Sequence, residues 1–256
     1  MQNQSTKKFY NELAMDYHLI FNDWDVTINE QAKILNKVIQ ENSIIDSKTL
    51  LDCSCGIGTQ AIGLAQYDYL VTGTDLSPKA IERAKEEAEK RNIDINFAVA
   101  DFMKLESQVE GIFDIVISCD NSLPHLLTDE DLFVASKNML SKMKSNGLFI
   151  GSIRDYNQLL EEKPTSTKPN IKGSEKNRTI SFQVWDWNDD NTYLVNHFTI
   201  KGDENNYETF DRKSQYRAYK RDEMTALFKR AGFSKIKWLM PFESGYYQPI
   251  ILAYKL

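Results

Sequence analysis

Three carboxylates stand at the ends of short apolar runs in the first half of the chain, and a glycine turn lies beside the first of them. Asp52 closes TLLD ahead of Gly56 in LLDCSCGIGTQA, Asp75 closes LVTGTD, and Asp101 follows NFAVA and precedes Phe102. Gly56, Gly58 and Ala61 satisfy the loose fingerprint of a strand-to-helix turn in which the backbone bends sharply and lets a ligand approach. A carboxylate at the second strand end can accept both hydroxyls of a ribose. An acceptor beside an aromatic ring suits the amino group and face of adenine. A nicotinamide dinucleotide enzyme would share the glycines and Asp75. It usually keeps an apolar residue where Asp52 stands, and a carboxylate there suits a ligand with ammonium and sulfonium charges better than a pyrophosphate. Each residue also has an ordinary use: a plain tight turn for the glycines, a helix cap for Asp75, a loop cap for Asp101.

The elements that position these groups follow from apolar periodicity. A helical stripe over 31–40 feeds a buried strand at 49–53, then a helix over 59–66 and a second strand at 70–74. Ser77 and Pro78 form an N-cap and first-position pair for a helix reaching about residue 91. Strands follow at 93–99, 113–118 and 148–153, with a helix opened by Thr128 and Asp131 between the last two. Such alternation implies right-handed crossovers and a mostly parallel sheet covered on both faces. The rhythm then breaks. Residues 161–177 lack apolar periodicity and read as a mobile loop, while 179–187, 192–201 and 207–219 read as an antiparallel meander separated by turn residues. A helix over 221–231, closed by Gly232, precedes two final strands at 235–240 and 249–254, expected as a hairpin.

With these elements in place, LLDCSCGIGT, VTGTDLSP, VADF and FDIVISCDNSLPHLL resemble the successive motifs of class I S-adenosylmethionine-dependent methyltransferases, over roughly residues 31–256. The resemblance implies an α/β Rossmann-like seven-stranded sheet in the order 3-2-1-4-5-7-6 with the last strand antiparallel. It implies S-adenosyl-L-methionine as cofactor and S-adenosyl-L-homocysteine as product, bound by Asp52, Cys55, Gly56, Gly58, Asp75, Leu76, Asp101, Phe102 and Cys119. Ser54-Cys55 departs from the more usual Ala-Cys or Gly. One domain over 1–256 is expected, with a helical lid at about 1–30 bearing Tyr10, Tyr17 and Trp24 and a β insertion at about 178–219.

On the acceptor side, CDNSLPHLL and IRDYN are similar to the corresponding stretches of glycine and glycine/sarcosine N-methyltransferases. That likeness implies that Arg154 binds an amino-acid carboxylate and that Asn121 places the amine through its side-chain carbonyl. His125 is the candidate base. The N/D-P-P-Y loop resembling adenine and glutamine amino-methyltransferases is missing, which counts against those acceptors. Ordinary alternatives are a turn cap for Asn121, a satisfied histidine at 125, an ion pair with Asp155 for Arg154, and helix packing for the Tyr10, Tyr17 and Trp24 spacing.

Charge and composition narrow the partners. With 31 Lys and Arg against 37 Asp and Glu, the net charge is -6, so no basic field attracts nucleic acid. No apolar stretch approaches a membrane span and the first residues carry no apolar leader, so a cytoplasmic location is expected. Cys53, Cys55 and Cys119 do not read as a disulfide framework, nor with three histidines as a metal site. The acceptor is a small molecule, with glycine or sarcosine first. A different O, N or C acceptor, a NAD-dependent oxidoreductase and a non-catalytic S-adenosylmethionine-binding module are the competing readings.

Overall fold

The computed structural model describes residues 2–256. In chain order the helices are α1 (Gln2–Leu13), α2 (Trp24–Asn42), α3 (Thr59–Ala65), α4 (Pro78–Lys90), α5 (Leu105–Gln108), α6 (Asp129–Ser141), α7 (Tyr156–Glu162), α8 (Arg221–Ala231) and α9 (Pro241–Ser244). The strands are β1 (Thr49–Asp52), β2 (Leu70–Asp75), β3 (Asn96–Val99), β4 (Phe113–Ser118), β5 (Met143–Ser152), β6 (Asn170–Lys172), β7 (Arg178–Trp187), β8 (Thr192–Gly202), β9 (Tyr207–Arg217), β10 (Ser234–Leu239) and β11 (Ile250–Tyr254).

Seven strands form one sheet in the order β3-β2-β1-β4-β5-β11-β10. β1, β2, β3, β4 and β5 are parallel, whereas β11 runs antiparallel to both β5 and β10. This is the order expected from the sequence. Its centre is apolar on both faces: Leu50, Leu51, Ile115, Val116 and Ile117 are fully buried, as a strand covered by helices on each side requires. One face packs α2, α3 and α4 through residues such as Leu35, Ile39, Ile62 and Ala84. The other packs α6 and α8 through Leu132, Met139, Met224 and Phe228, and its core continues into Trp185, Tyr193 and Val195 of the second sheet. Ser77 caps α4 by accepting from the Ala80 N–H at 3.1 Å, and Thr128 caps α6 by accepting from the Asp131 N–H at 3.1 Å.

The second sheet, β6-β7-β8-β9, is antiparallel. Part of the segment expected as a mobile loop is its edge: β6 pairs with β7, Ser166 bridges Val184, and the Thr167 N–H donates to the Gln183 carbonyl at 2.9 Å. Apolar alternation is missing there because an outermost strand of three residues buries neither face, and Ile171 is 62% exposed. The last two strands do pair antiparallel, but α9 and residues 245–249 separate them, so their connection is longer than a tight hairpin turn.

The N-terminal segment ties the two sheets together. Arg212 of β9 donates to the Glu12 carbonyl at 3.0 Å and pairs with Asp16 at 2.9 Å, and Lys201 of β8 reaches the other Asp16 oxygen. On the opposite side Ser77 donates to Asn11 at 2.7 Å. Trp24, expected in the lid, instead opens α2 and donates to Thr59 at 2.9 Å.

The turn and α3 are held close to α2 by a glycine with no room for a side chain. A Cβ on Gly63 would lie 2.6 Å from the Ala32 Cβ and 2.7 Å from the Ile28 carbonyl oxygen. Gly63→Ala should therefore destabilise the fold by about 1–3 kcal/mol, read as a lower urea midpoint with an unchanged slope. An unchanged midpoint would show that the two helices part freely.

Candidate active site

The carboxyl ends of the central strands open into a cavity, the position where open parallel sheets bind ligands. Its walls are the β1–α3 turn, Asp75 and Leu76 after β2, Ala100, Asp101 and Phe102 after β3, and Asp120, Ser122, His125 and Leu126 after β4. Thr6, Tyr10 and Tyr17 close it from the N-terminal segment. The glycine turn is built as its sequence requires. Gly56 has φ +53, its N–H donates to Asp75 at 2.9 Å, and a Cβ added there would meet nothing within 4 Å, so the space before it is open to a ligand. Gly58 differs: with φ +97 it caps α3, and a Cβ would press on Ile62 at 2.8 Å, so its glycine serves packing and not the cavity wall.

Asp75 holds one backbone N–H on each carboxylate oxygen, Gly56 at 2.9 Å and Ser77 at 2.8 Å, and keeps acceptor capacity on both. Burial pushes its carboxyl above the ordinary value against the pull of those donors. Asp101 is fixed by the Met103 N–H at 2.9 Å beside Phe102. Asp52 and Cys119 do not line the cavity. Asp52 is 1% exposed, burial pushes its carboxyl well up, and its Oδ2 has no partner among the described residues. Cys119 is buried, and its carbonyl accepts from the Ser122 hydroxyl at 2.9 Å. All three cysteines are free, with Cys55 at the cavity wall.

A second cavity of about 170 Å³ adjoins the first and shares Tyr10, Tyr17 and Asp120 with it. Asn121, Arg154, Gln183, His197, Tyr216 and Tyr247 also line it. It continues into a wider groove of about 530 Å³ that Arg154, Gln183 and His197 also border. Arg154 stacks 4.5 Å from the Trp185 ring and donates to Tyr193 at 2.8 Å and to Gln183 at 3.2 Å. Asp155, the alternative ion-pair partner, is taken by Arg221. The guanidinium is thus held by neutral groups.

Asn121 presents the opposite end from the one expected. Its carbonyl accepts from the Arg154 N–H at 3.1 Å and from the Tyr156 hydroxyl at 2.9 Å. A backbone N–H can only donate, which fixes the amide orientation and leaves Nδ2, buried and without a partner among the described residues, as the free group. Asp120 and Asn121 are consecutive non-glycine residues in the left-handed region, at φ +56 and +67, a conformation Asp and Asn tolerate best.

His125 is not a free base. Nε2 bonds the Tyr10 hydroxyl at 2.7 Å, Nδ1 bonds Ser214 at 3.2 Å, and the ring sits 4.1 Å from Tyr216. Burial pushes its pKa down to about 3, which keeps the imidazole neutral as a tether between the N-terminal segment and the meander. At the end of β9, Tyr216 lines the second cavity, whereas the Tyr219 hydroxyl lies 2.8 Å from both the Leu126 and the Thr128 carbonyls, between which it shares its proton, and Arg217 pairs with Asp129. Sequence reasoning passed over Asp120, although it stands in CDNS, and over Gln60, Tyr246 and Tyr247, which bind it.

Residues 50–147 match the family described as methyltransferase domain. A glycine/sarcosine N-methyltransferase of Parasynechococcus marenigrum is 29% identical over 54% of this chain and 48% of its own length, so the chain spans about half of that relative. An S-adenosylmethionine-dependent methyltransferase of Clostridium acetobutylicum superposes with a TM-score of 0.76 at 18% identity, over 96% of this chain and 98% of the other. The amino pentose methyltransferase CalS10 of Micromonospora echinaspora, solved with S-adenosylmethionine bound, gives 0.73 at 16% identity over 94% of each chain. Residues 50–147 thus match a methyltransferase domain, the chain has the fold of solved S-adenosylmethionine-dependent methyltransferases, and S-adenosylmethionine is the cofactor of that class.

The inner cavity fits that cofactor on its own evidence. Among the described residues its lining holds Asp75, Asp101 and Asp120 and no lysine or arginine. Such a wall matches a ligand with sulfonium and ammonium charges and lacks the cationic side chains that commonly accompany a pyrophosphate.

Two outcomes are expected. Asp75→Ala should weaken S-adenosylhomocysteine binding by about 1–3 kcal/mol by isothermal titration, with unchanged affinity contradicting the ribose role. Because His125 is held neutral, the unfolded chain binds more protons than the native one between its ordinary value and about 3. Its contribution to stability is complete above about pH 6.5 and falls by about 1.4 kcal/mol per pH unit below it. His125→Gln should therefore lose stability less steeply than the parent on acidification, and parallel slopes in urea titrations would refute this.

Proposed function

We propose that the protein moves the methyl of S-adenosylmethionine to the amine of a small amino acid of the glycine or sarcosine type. The observation that carries this is the Arg154 guanidinium, lining a small cavity next to the inner cavity and held by rings, a hydroxyl and an amide, with no carboxylate paired to it among the described residues. A planar cation so placed is suited to grip a carboxylate bidentately. Asn121 lines the same cavity, and its Nδ2, without a partner among the described residues, is a second donor available to an acceptor group there.

In this reading Asp75 holds the cofactor ribose, Asp101 and Phe102 hold its adenine, and Gly56 gives its methionine end backbone room. Bound there, the cofactor supplies an electrophilic methyl on sulfur. The chain's work is to position and to exclude water. Arg154 and Asn121 hold the acceptor's carboxylate, and Tyr10 and Tyr17, shared by both cavities, cover the junction. The wider groove beyond Arg154 favours a second reading, in which the amine belongs to a larger acidic molecule.

The test is S-adenosylhomocysteine formation with glycine, sarcosine and dimethylglycine, beside larger amino acids, other amines and oxygen and carbon acceptors. Turnover with glycine or sarcosine supports the first reading, and turnover with only a larger amine the second. Tight cofactor binding with no acceptor turned over would leave a binding module. Arg154→Lys keeps the charge but loses the fork and should raise the KM for an amino-acid acceptor about 10- to 100-fold with cofactor affinity intact. A normal KM would remove the carboxylate clamp.

A further inference from the structure

The carboxylate of Asp120 has a place in neither the cofactor contacts nor the acceptor clamp described above. It lines both cavities. Its Oδ1 accepts from the Tyr246 and Tyr247 hydroxyls, each at 2.7 Å, and its Oδ2 from the Gln60 amide at 2.7 Å. Its backbone N–H is pinned to the Ser152 hydroxyl at 2.8 Å in a left-handed conformation. Three neutral donors hold the side chain in place, and no cation pairs with it among the described residues.

We propose that Asp120 is a catalytic residue that receives the acceptor amine, pairing with the incoming ammonium and taking one proton from it at the boundary of the two cavities. This rests on the amine-acceptor reading above. The step balances: an N–H bond breaks, an O–H bond forms on Asp120, and the electron pair stays on nitrogen. That pair forms the N–C bond as the C–S pair departs with sulfur. The methylated product leaves as an ammonium, and Asp120 returns its proton to water. An ammonium has no lone pair with which to attack, so a proton acceptor at this boundary supplies what Arg154 and Asn121 cannot.

The surroundings suit the task. Burial raises the Asp120 carboxyl above its ordinary value while the two phenols and Gln60 pull it back, leaving a base stronger than a solvated aspartate. The other ionisable groups around it are Tyr10 and Tyr17 of the N-terminal segment, Asp52 at the end of β1, Asp75, Asp101 and His125 across the inner cavity, Cys119 on its own strand end and Arg154 beyond β5. Gln31 of α2 supports Gln60 without charge.

The experiment compares the parent protein, Asp120→Asn and Tyr247→Phe between pH 6 and 10 with whichever amine in the panel is turned over. The parent should keep a level kcat/KM through neutral pH, whereas Asp120→Asn should lose about 100-fold at pH 7 and recover as pH rises toward the amine's own value. Tyr247→Phe keeps the carboxylate but removes one donor to its charged form, so its acid limb should move to higher pH. Acceptor titrations in two buffers of different ionisation enthalpy, with S-adenosylhomocysteine bound, should show one more proton released to buffer in Asp120→Asn than in the parent. Unshifted pH profiles and equal proton counts overturn the proposal, as does an Asp120→Asn defect confined to cofactor affinity. Turnover of a different amine from the panel fails the glycine reading and leaves Asp120 to be judged on that amine. Turnover of oxygen or carbon acceptors alone, or of none, overturns both.

Discussion

Everything at the site depends on how the chain leaves β4. The β4–β5 register sets Ser118 opposite Gly151, which brings Ser152 against the residues that follow Cys119. Its hydroxyl and carbonyl take the N–H groups of Asp120 and Asn121 at 2.8 and 3.0 Å. Clamped this way, both residues adopt a left-handed backbone that costs about 1–3 kcal/mol for a residue with a side chain. The twist sends the carboxylate toward Gln60, Tyr246 and Tyr247 and the amide toward Arg154 and Tyr156. One turn thereby divides the space above the sheet into two chambers with different chemistry.

The two chambers are opposite in charge. The inner one gathers carboxylates without a cationic side chain among the described residues, and the outer one holds a guanidinium whose neighbours are aromatic and neutral. Buried charges left without a counter-charge weaken a fold, and such arrangements persist where a ligand completes them. A cationic donor in one chamber and an anionic group in the other would relieve both, with Asp120 at the border.

The sheet was legible because apolar runs, glycine turns and caps are local signals. Asp75, Asp101 and the Gly56 turn were legible for the same reason, since strand ends in a parallel sheet meet at one crevice. What escaped depends on which groups the fold brings into contact. Which end of Asn121 is free is decided by Tyr156 and the Arg154 backbone, and the role of Gly58 by Ile62 and the start of α3. Asp52 has the right chemistry in the right strand but is buried, while its neighbours Cys53 and Ser54 line the cavity. Asp120 gains its meaning from Tyr246 and Tyr247, more than a hundred residues later, and β6 exists only because β7 offers it an edge.

The N-terminal clasp has a consequence for the order in which the molecule is made. Asp16 finds its partner 196 positions later in Arg212, and Tyr10 meets His125 across 115. During synthesis the residues of the glycine turn and of the first five strands emerge before those of β9, so the partners of Asp16 and Tyr10 follow them. Closing so long a loop is entropically costly and repaid only once the meander has formed. A chain ending before β9 would carry the residues of the five parallel strands but lack Arg212, and with it the clasp on Asp16.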